Sequence, residues 1–248
     1  MIHSYAPSSA PAVSFGPLDG VLLVDKPAGI TSHDVVYKIR KKFNIEKVGH
    51  GGTLDPEATG LLVILLGKGT RLSEKIMGGN KVYSGILRLG IQTNSQDSDG
   101  EITATADPSG VTRESLEAVL RTFVGDQYQT PPMVSAIKIN GVPLYKMARK
   151  GKEVERKDRF VHVFSFELKS FGIPDCEIIV HCTKGTYIRT LCNDAGEKLG
   201  CHGHLVGLRR LRSGSYDVAN ALKLDQILEM DSKTLEEHVI PMIEASGL

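Results

Sequence analysis

The sequence predicts an α/β protein of the α+β type, in which a mixed, largely antiparallel central sheet carries helices on its surface. Segments typical of strands outnumber those typical of helices, and Asn140-Gly141 between two apolar segments is a strong β-hairpin signal. The strands do not simply alternate with helices, which argues against a doubly wound parallel fold. The chain has 248 residues, of which 41% are hydrophobic and 24% charged, as in a globular protein that buries a sizeable core.

The first half of the chain combines short apolar strands with helices. In chain order we predict a strand at Val21–Val24, a helix capped by Thr31 or Ser32, a strand at Leu61–Leu66, a helix at Arg71–Met77 and a strand at Lys81–Leu89. The last of these alternates, so that Tyr83, Gly85, Leu87 and Leu89 share one face.

The second half repeats this mixture. The predicted elements are a helix capped by Thr112, hairpin strands at Val134–Ile139 and Val142–Tyr145, a short helix at Leu144–Lys150, strands at Phe160–Leu168 and Glu177–Thr183, a helix at Ile188–Leu199, a strand at His204–Leu211, and one or two short acidic helices. Gly200 is placed to end the helix before it, because glycine adopts the left-handed conformation of a C-terminal cap without strain.

The N-terminal segment, the apolar runs and the cysteines indicate where in the cell the protein is expected. Residues 1–17 are rich in Ser, Ala and Pro and lack the features of a secretory signal, so we expect a flexible tail followed by one domain over residues 18–248. The longest apolar run, Leu61–Leu66, is too short to cross a bilayer. The four cysteines form no CxxC pair, and reduced thiols in a cytoplasmic protein are expected. We expect a monomer.

Basic residues form three local groups although the net charge is only +1. The first group is Lys38, Arg40, Lys41, Lys42 and Lys47; the second is Lys146, Arg149, Lys150, Lys152, Arg156, Lys157 and Arg159; the third is Arg209, Arg210 and Arg212. Each group suits contacts with nucleic-acid phosphates, and each is equally compatible with an ordinary solvated surface.

The glycine-rich loop Gly49–Gly60 is the most informative segment. Its four glycines allow a backbone to approach a ligand closely, and Asp55 stands immediately before Pro56 and an apolar strand. A carboxylate presented there suits acid chemistry on a flat substrate. An Asx-type turn at the entrance of a strand explains the same residues, so both interpretations stand on geometry alone.

Other familiar motifs fail on inspection. A phosphate loop would need glycine where Leu62 stands, and a calcium loop starting at Ser95 would need a glutamate where Ala106 stands. The spacing of Cys201-His-Gly-His204 with the nearby cysteines matches no standard zinc site.

Several segments, taken in order, resemble the bacterial tRNA pseudouridine-55 synthase family, TruB. They are Gly20–Ser32, the loop Gly49–Gly60, Lys81-Val-Tyr83, Leu89-Gly90 with Thr93 and Asp97–Gly100, Cys182–Thr190, and Leu208–Leu211. The resemblance extends from about residue 18 to about residue 245. It implies the pseudouridine synthase fold and the isomerisation of a T-loop uridine in tRNA, a reaction that needs no metal, redox cofactor or ATP.

The chain departs from the family pattern in three places. Gly51 replaces a hydroxyl residue and is expected to loosen the loop, and Asn94 replaces an aspartate. Many members also continue into a C-terminal RNA-binding PUA domain, and we expect that domain to be absent or severely truncated here.

The resemblance also implies roles for individual residues. Asp55 is the catalytic carboxylate, Arg189 is its cationic partner, and Tyr83, Tyr187 and Leu208 surround the flipped uracil. His50 is expected to contact the RNA, while Lys26 and Pro27 support the catalytic loop. Without the resemblance, Tyr83, Tyr187 and Leu208 would be interpreted as ordinary core residues.

The same resemblance makes residues 129–160 an RNA-binding thumb, with backbone contacts from Lys146, Arg149, Lys150 and Lys152. The expected partner is the T arm of tRNA, recognised by shape and phosphates. Two alternatives are a noncatalytic tRNA-binding or folding chaperone and a member of the guide-RNA-dependent branch. The set of Asp55, Tyr83 and Arg189 argues against the first, and the absent PUA domain against the second.

Overall fold

The computed structural model describes residues 15–133, 138–139, 142–143 and 154–247. A mixed sheet runs through the protein. Its strands are β1 (Gly20–Lys26), β2 (Val48–His50), β3 (Thr59–Leu66), β4 (Lys81–Leu89), β7 (Gly125–Gln129), β10 (Arg159–Ser170), β11 (Asp175–Cys182), β12 (Gly203–Ser213), β13 (Tyr216–Asp217), β14 (Leu222–Lys223) and β15 (Ile240–Pro241). Two small pairs lie apart from it: β5 (Ile91–Thr93) with β6 (Ile102–Thr105), and β8 (Lys138–Ile139) with β9 (Val142–Pro143).

The strand order across the sheet is β14-β1-β3-β12-β4-β11-β10-β7. Most neighbours are antiparallel, but β12 runs parallel to β3 and β14 runs parallel to β1. The predicted fold class is therefore confirmed. The parallel contact between β12 and β3 joins two antiparallel halves at the middle of the molecule.

The helices are α1 (Ser32–Phe43), α2 (Ser73–Gly78), α3 (Arg113–Arg121), α4 (Ile188–Leu199), α5 (Leu224–Glu229), α6 (Ser232–Glu236) and α7 (Met242–Ser246), with short 3-10 turns at Gly67–Leu72 and Val218–Asn220. Thr31 caps α1 in a capping box with Asp34, and Gly200 ends α4 in the left-handed conformation. None of the helices in the described ranges is long and apolar enough to span a bilayer.

Two helix-covered cores meet at a seam. One core packs α3 and α4 on β4, β10, β11 and β12, and the other packs α1 and the C-terminal helices on β1 and β3. Tyr83 and Leu208 contact both cores. A third apolar cluster, which includes Ile76, covers the opposite face of β1 and β3, so β3 is buried on both sides. At this seam, where β12 meets β3, side chains from the two cores lie next to each other.

Most predicted elements are present, and the differences are local. Arg71–Met77 divides into the 3-10 turn and α2, and the C-terminal segment holds three short helices instead of one or two. The prediction missed β7, which is mostly polar, and the short strands, which give too few residues for a pattern: β2, β5, β6, β13, β14 and β15. The predicted hairpin has antiparallel β8 and β9, while its Asn140-Gly141 turn, the helix at Leu144–Lys150 and most of the N-terminal tail lie outside the described residues.

Candidate active site

The Asp55 loop connects β2 to β3 and is held at both ends by the sheet. The Gly51 amide donates to the carbonyl of Val63 at 2.8 Å. At the other end Gly60 has φ +95°, and a Cβ there would lie 2.4 Å from the carbonyl oxygen of Arg210. Glycine at position 60 is therefore required twice, by the left-handed backbone and by the close approach of β12.

Arg189 reaches Asp55 from the first turn of α4. Its Nη2 lies 3.2 Å from Asp55 Oδ2, and the arginine side chain is only 5% exposed while that of Asp55 is 51% exposed. The carboxylate therefore faces both solvent and a buried cation. A substrate that entered the cleft could cover the open side of Asp55 without displacing Arg189.

A second carboxylate shares the same arginine. Arg189 Nη1 lies 2.7 Å from Asp97 Oδ2 and also donates to the carbonyl of Ser95 at 3.3 Å. Asp97 is held in turn by the Ser95 hydroxyl and by the Asp99 amide. The Asp97-Ser-Asp99-Gly100 segment, which is no calcium loop, thus supplies a carboxylate to this site. The residue patterns alone did not identify Asp97 as a partner of Arg189.

The electrostatic balance at Asp55 has opposing parts. Burial raises the pKa of the Asp55 carboxyl above its usual value and outweighs the charge of Arg189, which lowers it. The negative charges of Asp97 and Asp99 raise the Asp55 pKa further. Arg189 is therefore the main influence that favours the ionised form of Asp55.

The cleft beside these charges has a volume of about 220 Å³. Its walls include Leu205, Gly207 and Leu208 of β12 together with Asp55 and Arg189. Tyr83 packs beside Leu208 in both cores, and burial raises the pKa of its phenol, as does the charge of Asp55. An apolar wall next to ionised groups suits a flat polar ring that must be bound on its faces and handled at its edge.

Tyr187 precedes Arg189 by two residues at the start of α4, and His50 stands where the Asp55 loop leaves β2. Tyr187 is the N-cap of α4, and Gln129 holds its backbone by accepting from the amide at 2.7 Å and donating to the carbonyl at 3.1 Å. His50 ends β2, and its Nδ1 accepts a hydrogen bond from the Gly52 amide at 3.3 Å. Burial lowers the His50 pKa, which favours the neutral ring. Gln129 was expected to open the thumb, but it is an anchor within β7.

Lys26 lies completely buried beneath the loop. Its ammonium donates to the carbonyls of Pro27, Ile30 and Pro56 at 2.7 to 2.8 Å. Pro56 follows Asp55 directly, so this contact supports the loop at the residue beside the carboxylate. Burial lowers the Lys26 pKa to about 8, against the opposing effect of nearby acids.

The third basic group does not form a phosphate patch. Arg209 makes a two-bond ion pair with Asp25 at 2.9 and 2.7 Å, and Arg212 lies 3.6 Å from Asp217. Arg210 is 1% exposed and donates to backbone carbonyls. The alternation of a strand sends neighbouring arginines to opposite faces, so this group cannot act together at one surface. The predicted thumb residues Lys146, Arg149, Lys150 and Lys152 lie outside the described residues.

The structure shows what surrounds two of the three departures from the family pattern. A Cβ at Gly51 would lie 2.3 Å from the Cγ2 of Ile76, so the volume of a larger residue is occupied by that side chain. Gly51 is buried, and its amide hydrogen bond to Val63 holds this end of the loop against β3. Asn94 accepts from the Glu101 amide at 3.1 Å and closes the loop that carries Asp97.

A larger cleft of about 640 Å³ lies among the C-terminal elements and includes Leu23, Tyr216 and Ile240 in its walls. Its lining contains neither Asp55 nor Arg189. Within the described ranges no group of three His, Cys, Asp or Glu side chains is placed to hold a metal ion, and Cys176, Cys182, Cys192 and Cys201 are free and buried. The cluster of charges, and not cleft size, locates the candidate site.

Comparisons with known proteins show the family of this chain. Residues 40–188 match the family described as "TruB family pseudouridylate synthase (N terminal domain)", and residues 189–245 match "tRNA pseudouridylate synthase B C-terminal domain". A protein of Opitutus terrae named tRNA pseudouridine synthase B is 50% identical over 229 residues, which is 92% of this chain and 95% of that protein.

A protein of the same name from Syntrophotalea carbinolica is 49% identical over 228 residues, covering 92% of this chain and 74% of that protein. Among solved structures, one described as "Crystal Structure of a Cbf5-Nop10-Gar1 Complex" contains a chain that superimposes with a TM-score of 0.73 at 28% identity, covering 96% of this chain and 67% of that chain. The family matches, the relatives and the shared fold together show that this chain belongs to the TruB family of pseudouridylate synthases.

Proposed function

We propose that this protein converts one uridine in the T loop of tRNA, at tRNA position 55, to pseudouridine, and that Asp55 is its catalytic carboxylate. The observation that carries the proposal is the contact of a half-exposed Asp55 with the buried Arg189 at the edge of an apolar cleft. Family membership supports the reaction, and the two curated relatives described above are named for tRNA.

The reaction breaks the C1′–N1 bond, turns the uracil and forms a C1′–C5 bond, after which the C5 proton is lost and N1 is protonated. Atoms are conserved, so no external oxidant, reductant or group donor takes part. Asp55 assists by attacking the sugar or base, by stabilising a cationic sugar, or by accepting a proton from C2′. All three roles need the ionised carboxylate, and that is the form that Arg189 favours.

The target base must leave the RNA stack to reach Asp55, because a stacked and paired base keeps its reacting atoms inside the helix. We place Tyr83 and Leu208 against the faces of the flipped uracil, because they lie at the seam beside Asp55. Tyr187 would close the site from the start of α4, where Gln129 holds its backbone. His50, which is favoured as a neutral ring, would contact RNA and not transfer protons.

Recognition of the T arm would rest on shape and on phosphate contacts from the thumb, whose insertion lies between the end of β7 at Gln129 and the start of β10 at Arg159. The comparisons lend no support to a noncatalytic chaperone. The guide-RNA alternative is also less favoured, because a curated relative named tRNA pseudouridine synthase B is 50% identical over 92% of this chain.

The test is to incubate the protein with an unmodified T-arm hairpin and analyse the nucleosides of the product. Wild type should form pseudouridine at one position, and Asp55→Asn should lower the rate by at least about 10³-fold while RNA binding is retained. The matched control is Asp107→Asn, because Asp107 is exposed and, among the residues that the structure describes, its side chain bonds to Ser109 alone. Turnover by Asp55→Asn equal to that of the control would eliminate the assigned role.

A further inference from the structure

Arg210 on β12 is one of the largest fully buried side chains in the described part of the protein, with 1% of its surface exposed. No carboxylate in that part of the chain lies within ion-pair distance of its guanidinium. A buried cation is costly unless its donors are satisfied, so its partners show what the residue holds in place.

Those partners are backbone carbonyls on both arms of the Asp55 loop. Nη2 donates to Gly52 at 3.0 Å and Nη1 to Thr53 at 3.3 Å, both before Asp55. Nε donates to Leu61 at 2.7 Å, which follows the loop in β3. One planar group therefore spans the loop and sets the separation of its arms. A lysine carries its three donors on one nitrogen, so at this position it could not span carbonyls that the guanidinium reaches with three separate nitrogens.

The Tyr83 hydroxyl lies within the electrostatic reach of the same guanidinium, and Tyr83 is the direct partner of Arg210 across β4 and β12. Because arginine carries donors only, the phenol oxygen is the atom that can accept from it. The charge of Arg210 lowers the Tyr83 pKa, against the larger effect of burial. Arg210 is thus placed to hold the Tyr83 ring as well as the Asp55 loop.

We propose that Arg210 is a positioning residue that holds the Asp55 loop and the Tyr83 hydroxyl in one arrangement for catalysis. The inference rests on the proposed function, because Tyr83 and Asp55 must serve the same reaction for their alignment to matter. Arg210 reaches Asp55 through the loop backbone and not through charge, so its loss should change geometry more than ionisation. Small displacements of a reacting group reduce rates strongly, so the effect should fall on turnover.

The experiment compares Arg210→Lys with Arg209→Lys in the full-length protein. The two variants make the same chemical change at adjacent positions, but Arg209 is partly exposed and paired with Asp25 outside the loop. Three properties are measured: kcat and KM on the T-arm hairpin, amide hydrogen exchange over residues 51–58, and the ¹⁹F signal of Tyr83 in protein labelled with 3-fluorotyrosine. Tyr83→Phe assigns that signal among the seven tyrosines.

For Arg210→Lys we expect kcat to fall at least about tenfold with KM within about twofold, exchange over residues 51–58 to rise about tenfold, and the ¹⁹F signal to move. Arg209→Lys should match wild type in all three. Tyr83→Phe should lower kcat while loop exchange stays near that of wild type, because the carbonyl contacts remain. Unchanged loop exchange and an unchanged ¹⁹F signal in Arg210→Lys would overturn the proposal, whatever its kcat.

The result is interpretable even if wild type makes no pseudouridine or Arg210→Lys does not fold. Inactivity of wild type would count against the proposed function, while exchange and the ¹⁹F signal still report whether Arg210 holds the loop and Tyr83. For the folding case, NMR of wild type follows the Arg210 Nε proton. Protection of this proton as strong as that of core amides supports the contact with Leu61, and exchange at the rate of an exposed side chain overturns it.

Discussion

Two buried arginines contact the same loop from different secondary-structure elements of the protein. Arg189 comes from α4 and meets the carboxylates of Asp55 and Asp97. Arg210 comes from β12 and meets carbonyls of the loop and the Tyr83 hydroxyl. The residue type and the burial are alike, but one surrounding is charged and the other neutral. We infer from this difference that Arg189 acts on the ionisation of the Asp55 carboxyl, whereas Arg210 acts on the geometry of the Asp55 loop.

This contrast has a consequence for pH dependence. The Asp55 pKa is raised by burial, so the acid limb of the rate profile should lie above the ordinary aspartate value of 3.8. Changes in the carboxylate cluster should move that limb, and changes at Arg210 should lower the rate without moving it in the same way. The two arginines can therefore be distinguished by measuring rate against pH.

Substitution of Arg189 by glutamine should have the largest effect after loss of Asp55 itself. Arg189→Gln removes the charge that lowers the Asp55 pKa and leaves two carboxylates near each other without a cation. We expect turnover to fall by about 10²- to 10³-fold and the acid limb to move to higher pH. Single-turnover rates across a pH series measure both. An unmoved limb would contradict the charge-controlling role.

Substitution of Asp97 by asparagine should lower turnover less than Arg189→Gln does, and it should shift the acid limb in the opposite direction. Asp97→Asn keeps the shape of the side chain but removes a negative charge that raises the Asp55 pKa. We expect turnover to fall about tenfold, because Arg189 loses its ion pair with Asp97 Oδ2 at 2.7 Å. We expect the acid limb to move to lower pH. The same pH series tests this. A limb that moved upward in both variants would show that Asp97 and Arg189 do not act on Asp55 through their charges.

Substitution of thumb lysines should leave the chemistry unaffected and should change only binding. We expect Lys146, Lys150 and Lys152 changed together to alanine to weaken T-arm affinity and to flatten its salt dependence by up to about 0.9 per lost phosphate contact, with kcat unchanged. Fluorescence anisotropy over a salt series measures the slope. Affinity and slope equal to wild type would remove these residues from the RNA interface.

Local sequence patterns predicted much of the fold. The alternation in β4, the apolar β3 and the glycine that ends α4 are all readable in a few adjacent residues, and the structure contains each of them. The polar β7 was missed because Gln129 is buried through hydrogen bonds to Tyr187 and not through an apolar side chain. Hydrophobic periodicity has no signal for such a position.

The candidate site divides in the same way. The resemblance supplied Asp55, Arg189, Tyr83 and Leu208, and the structure brings these four together at the seam. The resemblance did not supply the contact of Asp97 with Arg189. The sequence also provided no reason to distinguish Arg209, Arg210 and Arg212, which were all candidates for phosphate binding. Strand alternation shows only that Arg209 and Arg210 face opposite sides.

The sequence by itself determined the elements, the family and the loop that presents Asp55, because these depend on residues near one another in the chain. The tertiary structure alone decided that Arg210 is the buried member of the third basic group and that Asp55 and Asp97 share Arg189. It also decided that Ile76 takes the space beside Gly51. Those outcomes depend on contacts between distant segments. The burial of a position, the charges around it and the volume available to it are set only when distant segments of the chain pack together in the folded molecule.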